Sequence, residues 1–368
     1  MQTFFNSYSK FLFISCLLLY TLYDKFAMIK AYFTLLKEFL KTNFTTMRKI
    51  LFLAITIFTI VSNTANAQQK TTLSAQIYGY QRDMVYFDCI QTPLIAQEFY
   101  TNPGEEHIYN FECDRLVCIS INGRTNVLLQ PGDSLHVNIN YDGKNVTVEY
   151  SGCERAVNNN RLLDNLNSIK RSLRYKNQLL GCAALDIKPK KRIDDSRILL
   201  EKVNALVEKS PASIEAKNYV TALTDYDVYL SFIEYPVMYQ SVRGVAIEQQ
   251  EIGDYWNIME GYVTRNDAEA MNCPEYASLL MRYCFFVKEK SSYEKGETYE
   301  MPKTLEGMYD EFASFYDGQQ RDFLLYTLLC NFIRNGQEIE RADALYKDYI
   351  EKYNKDDYYK SILDMLLQ

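Results

Sequence analysis
Apolar and polar residues alternate in short runs between Leu73 and Tyr150, and beyond about Asn158 the apolar residues recur at helical spacing. Leu73, Ala75 and Ile77 alternate with polar neighbours. Leu135, Val137 and Ile139 do the same with His136, Asn138 and Asn140. Period two is the mark of a strand with one buried face. Further β-prone runs cover 84–90, 95–100, 107–113 and 116–121. Val146, Val148 and Tyr150 form a return strand after the hairpin signal Asp142-Gly143. Gln81-Arg82-Asp83, Thr92-Pro93, Asn102-Pro103-Gly104 and Asn122-Gly123 break the runs. Short strands with turn signals every eight to twelve residues or so predict an antiparallel β-sandwich or partly open barrel over 68–153.

Between the two best-patterned strands lies Gln130-Pro131-Gly132-Asp133. Pro131 presets φ at the second turn position, and Gly132 supplies positive φ at the third, with Asp133 closing the turn. Pro131, Gly132 and Asp133 are therefore expected to be a structural turn.

From 154 to 368 the pattern predicts an all-α domain of helical hairpins, so the fold class is α+β. Leu162, Leu163, Leu166, Ile169 and Leu173 mark the first helix, and Ile198, Leu199, Val203 and Leu206 the second. Between them, 187–192 (IKPKKR) reads as a solvated basic connector. Ser210-Pro211 reads as a cap opening a helix that runs through Tyr219, Leu223, Tyr226 and Leu230 towards Pro236. Helical segments follow over 256–262, from Pro274, and over 305–316, 321–334, 338–353 and 358–367. The last four resemble a repeat array without a strict period. The chain's 31 tyrosines are expected to pack amphipathically at helix contacts, with a groove for a peptide or glycan as the alternative.

Charge and targeting narrow the setting. Met47-Arg48-Lys49, an apolar core over 50–61 and Ala65-Asn66-Ala67 make a secretory signal peptide over 47–67, with cleavage after Ala67. Residues 1–46 are then a misassigned start, with Met47 as the true one, or an N-terminal extension. The completeness of the signal favours the first. Cleavage leaves 301 residues, and because the removed part holds seven Lys/Arg and two Asp/Glu, the net charge moves from −7 to −12. An acidic surface argues against nucleic acid as partner. No stable membrane span is expected in the mature chain, and the place of action is the periplasm or cell envelope. Eight cysteines remain in the mature part. Cys113 and Cys118 flank the turn at Asp114-Arg115 and are the candidate disulfide pair.

Catalytic patterns are sparse. Gly132-Asp133-Ser134-Leu135 matches a short esterase signature whose serine needs a histidine as base. The chain has two histidines, His107 and His136, and neither lies in the C-terminal half. A strand follows Ser134 where those enzymes have a helix, so the match reads as a turn. His107 lies in a strand with no second metal ligand in range. No cofactor, catalytic residue or metal site is expected.

Two stretches carry a resemblance. Leu129-Gln130-Pro131-Gly132-Asp133-Ser134-Leu135, then Tyr150-Ser151-Gly152 and Asn158-Asn159-Asn160-Arg161-Leu162-Leu163, resemble the non-catalytic front part of TlpA-like thiol–disulfide oxidoreductases. Asn266-Asp267-Ala268-Glu269 and Asn272-Cys273-Pro274-Glu275-Tyr276 resemble the helical segment which that family places before its thioredoxin domain. The family's Cys-x-x-Cys, whose first thiol is activated at a helix N-terminus, has no counterpart here. The resemblance implies an exported, non-catalytic accessory protein that recognises or positions a partner protein, such as a redox protein. The alternatives are a truncated oxidoreductase whose missing domain lies downstream, and a surface glycan- or peptide-binding protein.

Overall fold
In the computed structural model, residues 70–367 are described except for 80–84, 92–96, 101–103, 144, 176–186 and 337–338. The expected signal peptide, residues 1–46 and Cys182 lie outside the described residues. Eight strands come first: β1 Lys70–Tyr78, β2 Val85–Cys89, β3 Gln97–Tyr100, β4 Glu106–Glu112, β5 Val117–Ile121, β6 Thr125–Leu129, β7 Ser134–Tyr141 and β8 Val146–Gly152. They form two four-stranded sheets, ordered β4-β1-β7-β8 and β3-β2-β5-β6. Leu73, Ala75, Ile77, Val137 and Ile139 from the first sheet meet Phe87, Ile119, Ile121, Val127 and Leu129 from the second, each at most 1% exposed. Alternation thus becomes burial on one side of each strand.

One pairing departs from the antiparallel expectation. β1 runs parallel to β7, with Leu73 beside Leu135 and Ala75 beside Val137. The two are far apart in sequence, so no hairpin dictates their direction. The turn before β7 does: Thr72 N–H donates to Asp133 O at 2.9 Å, and Gly132 N–H donates to Thr71 Oγ1 at 3.1 Å.

The helices are α1 Glu154–Ser172, α2 Pro189–Lys209, α3 Ile214–Arg243, α4 Pro274–Glu294, α5 Leu305–Phe315, α6 Gly318–Arg334, α7 Ile339–Lys352 and α8 Asp357–Leu366. Short 3-10 turns occur at Ile247–Gln249, Tyr255–Asn257 and Ala270–Asn272. The helices cover the outer face of the second sheet, where Leu116, Cys118 and Leu128 join the helical core. β5 is therefore buried on both faces, which is why its sequence reads as a run and not an alternation. No helix among the described residues is long and apolar enough to cross a membrane.

Four helical expectations are corrected. The basic connector is instead the start of α2, with Lys188 at the cap and Pro189 in the first turn. Lys190 and Lys191 pair with Asp194 and Asp195 one turn on, while Arg192 is buried. The cap of α3 is Ser213, whose hydroxyl accepts from Ala216 N–H; Ser210 instead accepts from Ala212 N–H at 3.2 Å. That helix also continues through Pro236 to a left-handed Gly244. Proline costs one helical hydrogen bond, and in the preceding turn Ile233 O accepts from Tyr255 Oη at 2.8 Å. The expected helix over 256–262 is reduced to the single turn Tyr255–Asn257.

Candidate functional site
The Pro131-Gly132-Asp133 turn forms as expected. Gly132 has φ 77°, and Asp133 N–H donates to Gln130 O at 3.0 Å. Asp133 is 1% exposed. Its carboxylate accepts from Gln130 N–H at 2.7 Å, Arg155 Nε at 2.8 Å and the Cys153 thiol at 3.3 Å. Arg155 also reaches Pro131 O at 2.8 Å. With the acid so engaged, the turn ties β7 to α1 and has no lone pair aimed at solvent.

Next to it sits a polar clasp. β6 is the edge of its sheet, so Leu128 turns an unpaired N–H and C=O outward. Asn160 on α1 accepts the N–H at 2.8 Å and donates to the C=O at 2.8 Å, as another strand would. Asn159 donates to Gln130 Oε1 at 3.0 Å and accepts from Ser213 N–H at 2.9 Å. Both asparagines are fully buried.

The Asn272-Cys273-Pro274 stretch is a docking element of the same kind. Gln91 accepts from Cys118 N–H at 2.9 Å and donates to Asn272 O at 3.2 Å. Asn272 in turn donates to Leu116 O. Both stretches that carry the resemblance thus serve to join sheet and helices.

Ser134 is exposed at the head of β7. His136 lies two residues on and contacts a different serine: its Nδ1 is 2.7 Å from Ser74 Oγ and 3.1 Å from Glu106 Oε1. A hydrolytic relay needs the acid on one ring nitrogen and the serine on the other; here one nitrogen serves both. Cys113 and Cys118 are free thiols in place of the expected pair. Cys113 faces the sandwich core, bonded to Thr71 Oγ1 at 3.4 Å, and Cys118 faces the helices. Burial pushes both thiols above their ordinary pKa, which leaves them poor nucleophiles. Among the described residues no group of three His, Cys, Asp or Glu is placed to hold a metal.

Concave surface lies elsewhere, in an open groove of about 810 Å³ between α2, α3 and the loop that ends at Tyr262. That volume is within the roughly 300–1,000 Å³ of ligand clefts. Tyr229 and Tyr262 stand 4.1 Å apart between ring centroids, and Tyr229 meets Phe232 edge-on at 5.6 Å. Arg197, Glu201 and Asn204 of α2 line one wall, and Asp254 and Glu260 the other. The α2 residues fall on one face at helical spacing, a stripe that the sequence reading, which used only the apolar positions Ile198, Leu199, Val203 and Leu206, did not single out. Other tyrosines among the described residues are structural: Tyr316 Oη donates to Leu280 O at 2.6 Å and Tyr359 Oη to Met271 O at 2.7 Å.

Behind the groove, Asp225 precedes Tyr229 by one turn and is 6% exposed. Burial raises its pKa to about 7, opposed by Arg265 and assisted by Asp267. The fold therefore defines an α+β protein: a two-sheet sandwich with one sheet roofed by helices and a groove in the helical layer. Comparison with known protein families, curated proteins and solved structures finds no match to this chain.

Proposed function
We propose that this is an exported, non-catalytic accessory protein that recognises a segment of a partner polypeptide in the groove between α2 and α3. The observation that carries the reading is that the side chains of Glu201, Asn204 and Glu260 line an aromatic-floored groove without a hydrogen bond or ion pair to the described residues. Polar groups convergent on an apolar floor are the usual make-up of a recognition cleft. The resemblance to the front part of TlpA-like oxidoreductases supports the same reading and suggests a redox protein as partner. A photo-crosslinking side chain at Asn204, in cells exporting the chain, tests it. A discrete adduct at Asn204, absent when the crosslinker replaces exposed Lys347 on α7, is the expected result. No adduct at Asn204, or the same adduct from both positions, would refute the reading.

A further inference from the structure
The groove has a sign as well as a shape. Its lining holds three carboxylates, Glu201, Asp254 and Glu260, against one guanidinium, Arg197. The Asp254 side chain is held in place at the rim: one oxygen accepts from Trp256 N–H at 3.0 Å and the other from Asn257 Nδ2 at 2.6 Å. Glu201 and Glu260 are exposed, and their carboxylates lack a protein partner among the described residues. The opposing cations are already engaged. Arg197 lies 3.6 Å from Asp194, and Lys290 reaches the rim only to donate to Asn257 Oδ1 at 2.8 Å.

The floor is suited to cations for a second reason. Arg197 places its own guanidinium 5.7 Å from the Phe232 ring centre, so one cation–aromatic contact of this site is present within the chain. Tyr229 and Tyr262 also line the groove, packed on each other at 4.1 Å between ring centroids. A cation over such a face gains about 0.5–2 kcal/mol, depending on how far it is desolvated. The chain's net charge of −7 favours approach of the same sign of ligand.

We infer that the groove takes an extended, lysine- or arginine-bearing peptide segment, its cations between the Glu201 and Glu260 carboxylates and its stems on the Tyr229–Tyr262 floor. This rests on the binding reading above and adds the chemistry of the ligand. Acid-to-amide changes at these two exposed positions preserve shape and remove charge.

Trp256, the chain's single tryptophan, neighbours Asn257 in sequence but packs its ring on Phe286 and Tyr293, so calorimetry is the deciding readout and its emission a secondary one. The full chain is titrated with a capped glycine-based heptapeptide carrying four Lys/Arg, with its Asp/Glu counterpart, and with a neutral hexasaccharide. Trp256 emission and calorimetry are read at 50 and 300 mM salt. Saturable binding of the basic peptide alone is expected, weaker by about tenfold at the higher salt. Binding should fall by about tenfold or more in the Glu201→Gln/Glu260→Gln variant. Three outcomes overturn the inference: equal binding of the acidic peptide, binding of the hexasaccharide in place of the peptide, or no binding. If the Asn204 adduct forms while the basic peptide fails, the charge inference falls and the binding reading stands. If neither occurs, both fall.

Discussion

Replacing Asn160 by leucine separates the polar clasp from simple helix–sheet packing. The side chain is fully buried, and leucine approximates its size without donor or acceptor. The change strips Leu128 N–H and Leu128 C=O of their partners, each now at 2.8 Å. Both groups belong to an edge strand covered by α1, where solvent has no ready replacement. An unsatisfied buried polar group costs about 1–3 kcal/mol, so the pair amounts to about 2–6 kcal/mol. The added apolar side chain offsets about 1–2 kcal/mol of that. A net loss of about 1–4 kcal/mol is expected, a large part of a typical stability of about 5–15 kcal/mol. Urea unfolding followed by Trp256 emission and far-ultraviolet circular dichroism measures it, with an unchanged slope showing that the same surface is exposed. Asn160→Asp keeps the acceptor for Leu128 N–H but loses the donor to Leu128 O and buries a charge, so it should be destabilised as well. If Asn160→Leu unfolds within about 0.5 kcal/mol of the parent, the edge groups are satisfied without the asparagine and the clasp argument is wrong.

The raised pKa of Asp225, about 7, means that the folded chain holds a proton which the unfolded chain has released above about pH 4. Stability should therefore fall as pH rises from about 4 to 7 and level off above, and Asp225→Asn should gain about 1–4 kcal/mol at pH 8 and little at pH 4; parallel thermal-melt profiles for the two proteins would contradict this. Gly152 has φ 128°, and a Cβ there would lie 2.2 Å from Ser134 O, so Gly152→Ala should lower stability by about 1–3 kcal/mol through backbone strain, read by urea unfolding; an unchanged midpoint would show that the β7–β8 ladder can shift to accept it. In an insulin-reduction assay with dithiothreitol the chain should add no rate to the uncatalysed reaction, and clear turnover would refute the non-catalytic reading.

Much of the sandwich was legible residue by residue. Leu73, Ala75 and Ile77 announce β1, and Leu135, Val137 and Ile139 announce β7, because side-chain period and burial are coupled within a single strand. Pro131 and Gly132 predict their turn for an equally local reason: each restricts or frees its own φ. Local rules also misled. Four basic residues over 187–192 suggest a solvated loop, yet Arg192 turns inward, lies 3.6 Å from the Tyr175 ring centre and donates to Ser231 Oγ at 3.0 Å. Its burial depends on what α1 and α3 bring to it, and no spacing near position 192 records that. The helix read as running towards Pro236 continues past it to Gly244, since the proline withholds only the one bond that Phe232 O would accept.

The candidate site was less legible than the fold. Glu201, Tyr229 and Glu260 come from three separate segments, and each taken alone is an ordinary surface or core-facing residue. Likewise, nothing in Asn159-Asn160 foretells that one side chain would complete a sheet edge and the other would hold the start of α3. The sequence by itself determined the order of strands and helices and most of the turns between them, since those follow from interactions a few residues apart. Only the tertiary structure decided the parallel β1–β7 pairing, the polar joints between sheet and helices, and the charge-bearing groove. These depend on which surfaces meet after the chain has closed long loops, and the groups that meet are chosen by shape and hydrogen-bonding need across that distance.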